Sequence, residues 1–239
     1  MKIGLLGYGK MGKEIERLAL AAGDEVAFRI NRSNETALDS QLVRTADVAI
    51  EFSRPENAYR NISLCLESGV PVVAGTTGWL DRMPEAQALC KAQNGALFYA
   101  ANFSIGVHLF FALNRYLADL MAARPEYRPE MEEIHHNQKL DAPSGTAIAL
   151  ARDMIDRLPG ISGWVNRASD QPSSLPVLSR REGQVPGTHT IKYASAVDTL
   201  TIQHEAHSRE GFAKGALAAA HWIAGKQGYF EMNDMLGID

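Results

Sequence analysis

The sequence predicts an α/β protein: a doubly wound parallel sheet that carries an inserted α+β domain with an open mixed sheet. Three observations predict it. Short apolar runs alternate with amphipathic segments over residues 1–103. A glycine-rich turn, GYGKMG at 7–12, joins the first apolar run to the first amphipathic segment. Beyond residue 103 the alternation gives way to β-rich runs with few crossover helices, which implies mainly antiparallel pairing there.

The elements follow in order. Lys2–Leu6 is an apolar run, and 11–22 places Ile15, Leu18, Ala19 and Ala22 on one helix face. Glu25–Ile30 and Asp47–Phe52 are the next strand-like runs, and 56–68 is helical with Gly69 as its C-cap. Val70–Ala74, a helix over 82–93 and Ala96–Ala101 complete the alternation, which demands right-handed crossovers and a sheet covered on both faces. A long helix fits 104–122, ended by the Arg124-Pro125 step. A strand fits 130–135, a helix 145–158, and the proline-bearing stretch 159–176 reads as a long loop. Val177–Ser195 and Thr199–His207 are β-rich, and Gly211–Ala224 is an alanine-rich helix.

Composition removes several classes of function. With 46% hydrophobic and 22% charged residues the chain reads as a globular protein rather than a disordered one. Lys plus Arg number 24 against 28 Asp plus Glu, so no net field favours a polyanion and nucleic acid is not an expected partner. Cys65 and Cys90 both fall in apolar helical patterns, with no disulfide or metal spacing. The longest stretch free of Asp, Glu, Lys and Arg, 92–114, is interrupted by Asn94, Asn102 and His108, so no membrane span or membrane partner is expected. The N-terminal apolar run is too short for a signal peptide, and a cytoplasmic location is the expectation.

The chemistry gathers at strand ends. In GYGKMG the first glycine, Gly7, permits the tight turn, Gly9 lets backbone approach a pyrophosphate, and Gly12 allows close helix packing. Together with Tyr8, Lys10 and Met11 this predicts a Rossmann-type dinucleotide site. The second strand ends in Asn31-Arg32-Ser33 without the acid that usually holds a ribose 2′-hydroxyl. Arg32 is suited to a 2′-phosphate, so NADPH is expected, with NADH alongside. Gly75, Thr76 and Thr77 end the fourth strand and are expected on the nicotinamide side, and Ala100, Ala101, Asn102 and Phe103 end the fifth, on the edge of the sheet where ligands of such folds lie.

The densest segment is EIHHNQKLDAPSGT at 133–146. Pro143 and Ser144 start a helix whose free N–H groups at Gly145 and Thr146 suit an anionic oxygen. Lys139 can fold back over the same anion, and His135 and His136 offer proton donors. This describes a pocket for a small carboxylate. A zinc site is not expected, since the segment has no Cys and no third His at a suitable spacing. His204 shares a strand face with Ile202 and Ala206 and reads as packing, while His189 and His207 have no assigned role.

These motifs resemble the 4-hydroxy-tetrahydrodipicolinate (dihydrodipicolinate) reductase family along the whole chain. The matches are GYGKMG, EFSRP at 51–55, GTTG at 75–78, AANFSIGV at 100–107, EIHHNQKLDAPSGTA at 133–147, SRREGQVPGTH at 179–189 and HEAHSREGFAKGA at 204–216. The resemblance implies an NAD(P)H-dependent reduction in the diaminopimelate route to lysine, with His135 as proton donor and Lys139 as second catalytic residue. It implies that His136, Ser144, Gly145 and Thr146 bind the carboxylate of a dicarboxylate substrate. It also implies a dinucleotide domain of 1–103 with 212–239, a substrate-binding domain of 104–211, and a homotetramer joined through the substrate domains. The sequence departs from the pattern at Glu51, where Asp is usual, at Asn31, where an acidic ribose ligand is common, and in a short stretch between the second strand and GTTG. Another NAD(P)-dependent amino-acid oxidoreductase, or a non-enzymatic dinucleotide sensor, are the competing readings.

Overall fold

The computed structural model describes residues 1–208 and 210–238. The chain forms two compact units, Met1–Ile105 with Glu210–Asp239, and Gly106–Arg209.

The first unit is the expected doubly wound sheet. Its strands are β1 (Lys2–Leu6), β2 (Glu25–Ile30), β3 (Val48–Glu51), β4 (Val72–Ala74), β5 (Ala96–Tyr99) and β11 (Gly228–Phe230). They lie in the order β11-β5-β4-β3-β1-β2, and every pairing is parallel. The order reverses at β1, whose neighbours are β2 and β3, so a crevice opens beyond the carboxyl ends of β1 and β3. Alternation along β1 sends Ile3 and Leu5 to one face and Leu6 to the other. The first face is covered by α1 (Lys10–Ala21) and α7 (Glu210–Ile223), the second by α3 (Pro55–Glu67) and α4 (Met83–Ala92). The short helices α2 (Ser40–Val43) and α8 (Met232–Leu236), and the three-residue β11, carry too little periodicity to be read from sequence.

The second unit holds α5 (Ile105–Met121), β6 (Arg128–His135), α6 (Gly145–Ile155), β7 (Gly163–Val165), β8 (Ser174–Arg181), β9 (Gly187–Ala194) and β10 (Thr199–Ala206). Its sheet order is β10-β9-β6-β8-β7. The mixed sheet is as expected, but the pairing is less antiparallel than the few helices suggested. β6 pairs antiparallel with β9, and β9 with β10, while β6–β8 and β8–β7 are parallel. The reason is α6, which makes the path from β6 to β8 a crossover connection. The stretch 159–176 is likewise not all loop, since it contains β7 and the start of β8. Met131, Val177, Ile191 and Tyr193 form a fully buried row under the α6 residues Ala147, Leu150, Ala151 and Met154.

Candidate active site

In the first unit the glycine turn builds a cleft. Gly7 has φ +98°, and a Cβ there would lie 2.0 Å from the Phe52 carbonyl oxygen, so no other residue fits so close to the end of β3. Gly12 is as tightly placed, with its virtual Cβ 2.3 Å from the Gly7 oxygen, which lets α1 start directly above β1. Gly9 faces open space. A cavity of about 350 Å³ on one side of it is lined by Gly7, Tyr8, Asn31, Arg32, Arg54 and Arg60 among others. A second, of about 370 Å³, is lined by Gly9, Lys10, Met11, Gly75, Thr76 and Thr77 with Ser53. The cavities share Gly9, Phe52 and Ser53, so they form one groove over the helix N-terminus. A bare backbone at Gly9, an arginine-lined end and a hydroxyl-lined end fit a dinucleotide.

Glu51 lies beneath that groove, fully buried at the end of β3. Its Oε1 accepts from the Ser53 amide at 3.1 Å and from the Ser53 hydroxyl, while the same amide reaches Thr76 Oγ1 at 2.9 Å. Burial pushes the Glu51 carboxyl up. The residue that departs from the family pattern thus joins the turns after β3 and β4.

The second unit carries the other cluster, and strand register explains it. Along β6 the residues Met131, Glu133 and His135 alternate onto the covered face. Glu133 stands opposite His189 on β9 and Ser179 on β8, and His135 opposite Arg181 on β8. A polar row therefore caps the apolar one at the carboxyl end of β6. Glu133 Oε2 lies 2.8 Å from His135 Nδ1, and its Oε1 accepts from the Ser144 amide and from Arg181 Nη2, both at 3.1 Å. Arg181 Nη2 also donates to the Asp141 carbonyl at 2.5 Å and its Nε to that of Lys139 at 3.3 Å, pinning the loop before α6. Ser144 caps α6 by accepting from the Ala147 amide at 3.1 Å, so its own proton is free for His189 Nε2, 3.2 Å away.

Burial alone would raise the Glu133 carboxyl, but donors from His135, Ser144, Ser179 and Arg181 outweigh it and hold the group well below the usual carboxylate range. Burial, with His135 nearby, pushes His189 down to about 4, so it is a neutral ring near pH 7. The His135 and His189 rings meet edge to face, with centroids 5.2 Å apart. Lys139 Nζ pairs with Asp141 at 2.8 Å and holds that carboxyl below its ordinary value. The fold brings from β9 the further histidine that the 133–146 segment lacks, since Glu133, His135 and His189 offer ligand atoms within 4.8 Å of one another. The guanidinium on Glu133 Oε1 opposes a second cation there.

Comparison with known proteins decides the family. The family model described as dihydrodipicolinate reductase, N-terminus, matches residues 1–103, and its C-terminal counterpart matches residues 106–236. The chain belongs to the dihydrodipicolinate reductase family. A 4-hydroxy-tetrahydrodipicolinate reductase of Christiangramia forsetii is 44% identical over 99% of this chain and 98% of its own length. The namesake protein of Acidiphilium cryptum is 35% identical over 100% and 98%. A dipicolinate-bound dihydrodipicolinate reductase from Paenisporosarcina shares the fold, with a TM-score of 0.76 at 23% identity over 97% of both chains. Membership makes this dihydrodipicolinate reductase family protein an NAD(P)H-dependent oxidoreductase.

With the family in hand, the expected residues sort by place. Gly7, Tyr8, Gly9, Lys10, Met11, Arg32, Gly75, Thr76 and Thr77 line the groove, and Gly12 packs beneath it. Ala100, Ala101, Asn102 and Phe103 line neither cavity, and Phe103 is 2% exposed between Phe52 and Phe98. His135, Ser144, Gly145 and Thr146 gather at the end of β6, with His136 and Lys139 on the adjoining loop. The Ser144 hydroxyl is already engaged, so the groups open to an anion at α6 are Gly145 and the half-buried Thr146. Sequence reading missed Glu133, Arg181 and His189 as site members. The available signal was the two-residue step from Glu133 to His135, which puts an acid on the buried face of a strand. No helix among the described residues is long and apolar enough to cross a membrane.

Proposed function

We propose that the chain reduces 4-hydroxy-tetrahydrodipicolinate to tetrahydrodipicolinate with loss of water, with His135 supplying the proton. The observation that carries this reading is the end of β6, where a buried imidazole beside an anionic carboxylate sits next to the capped N-terminus of α6. A reduced nicotinamide dinucleotide in the groove of the first unit supplies the hydride. The N–H groups at Gly145 and Thr146 receive a substrate carboxylate, aided by the positive end of the helix dipole. Lys139, on a loop fixed by Arg181, exchanges Asp141 for that carboxylate and offsets charge developing along the conjugated imine. His136 adds a donor on the same loop. His135 protonates the ring carbon next to the one that accepts hydride, a contribution of about 10²–10⁴-fold.

Residues 1–103 with 212–239 serve the dinucleotide in this reading and 104–211 serve the substrate. Arg32 favours NADPH, with NADH accepted alongside. The working form is a cytoplasmic homotetramer joined through the second unit, whose edge strand β10 leaves Leu200 45% exposed. The test is oxidation of NADPH and of NADH with freshly prepared 4-hydroxy-tetrahydrodipicolinate. Turnover with at least one is expected, and none with either refutes the substrate. His135→Ala is expected to lower kcat by about 10²-fold or more with little change in KM, and an unchanged kcat removes it as the donor.

A further inference from the structure

We infer that Glu133 is a positioning residue that fixes His135 in one tautomer, with Nδ1 protonated and Nε2 left as the atom that carries the transferable proton. The inference rests on the reading of His135 as proton donor. Glu133 does not reach the surface: it is 0% exposed. Burying a carboxylate oxygen without a donor is costly, and Oε2 and His135 Nδ1 are both buried with no aligned hydrogen bond to any group among the described residues, which leaves them facing each other. Oε1 is saturated by two N–H donors, the Ser144 amide and Arg181 Nη2. Oε2 faces His135 Nδ1 at 2.8 Å. A nitrogen lone pair set against an anionic oxygen at that distance is repulsive, so Nδ1 bears the hydrogen.

The far side of the ring agrees. His135 Nε2 is 3.0 Å from where a Cβ would stand on Gly187, so the absence of a side chain at the start of β9 leaves room at that nitrogen. The charged and titratable groups around the ring are Glu133 on β6, Arg181 on β8, His189 on β9, and Lys139 with Asp141 on the loop. Among these Glu133 is the carboxylate in contact with the ring. The same carboxylate holds the Ser144 amide, so one side chain sets both the proton donor and the start of the anion-binding helix. Proton transfer and substrate seating are thereby registered to a single buried anchor, in the manner of a carboxylate that orients a catalytic histidine.

The decisive measurement is ring ¹⁵N NMR of the full-length protein, with the His135 signals assigned by their loss in His135→Ala. The wild-type protein is expected to show protonated Nδ1 and a lone pair on Nε2 in the neutral ring. The opposite tautomer in the wild-type protein overturns the inference without any variant of Glu133. Glu133→Gln keeps an oxygen for the Ser144 amide but turns an amide donor towards Nδ1, so the tautomer should reverse. Its kcat should then fall about 10²-fold or more, with KM for both substrates within about threefold. An unchanged tautomer or an unchanged kcat in this variant overturns the inference. A His135→Ala variant with full kcat would instead overturn the donor reading, while the wild-type tautomer still tests Glu133 on its own.

Discussion

His189 makes the stability of the second unit depend on pH in a calculable way. The ring is 5% exposed and pushed down to about 4 by burial and by His135. In the unfolded chain an ordinary histidine titrates near 6.5. The folded value is the lower one, so between these limits the unfolded chain binds the extra proton. Its stabilising contribution is full above about pH 6.5 and is lost progressively as pH falls towards about 4. Linkage puts the loss between about pH 7 and about pH 5 at roughly 2 kcal/mol. Glu133 acts in a different window, because a carboxyl lowered by its partners loses its contribution only below the ordinary carboxylate range. His204 is lowered by burial too and adds a loss of the same sign, so a variant is needed to isolate His189. Urea unfolding, followed through Trp164 in the second unit, should show the fall in the wild-type protein. His189→Gln keeps an acceptor for the Ser144 hydroxyl and should remove about 2 kcal/mol of that pH dependence. An equal slope in wild type and variant refutes the reasoning.

Three further outcomes follow from close approaches and charge. Gly187→Ala puts a methyl 3.0 Å from His135 Nε2 and 3.3 Å from its Cδ2. It should lower kcat at least about tenfold by displacing the ring, as steady-state kinetics will show. Gly12→Ala sets a carbon 2.3 Å from the Gly7 carbonyl oxygen, and should cost about 1–3 kcal/mol in urea unfolding while weakening dinucleotide binding in fluorescence titration. Arg32→Ala should raise KM for NADPH about tenfold and that for NADH less than about twofold, and equal effects would sever Arg32 from a 2′-phosphate.

Some of this protein was present in short windows of sequence. Lys2–Leu6 followed by GYGKMG fixes a strand, a turn and a helix, because apolar spacing and the steric freedom of glycine act within a few residues. The pattern of Pro143, Ser144 and the apolar face beyond them fixes the start of α6 in the same way, and with it the N–H groups proposed to receive an anion. What no window contained was the company of His135. Glu133 meets His189 because β6 runs antiparallel to β9 in a register set by the buried row of Met131, Ile191 and Tyr193. A slip of one residue would turn that row to the open face, so burial of apolar side chains selects which polar ones touch. Arg181 arrives beside them because α6 makes β8 return parallel to β6. Local sequence determined most of the longer elements and the groups proposed to carry the proton and receive the anion. Tertiary structure decided their partners, because pairing across strands is fixed by long-range packing, which no local pattern encodes.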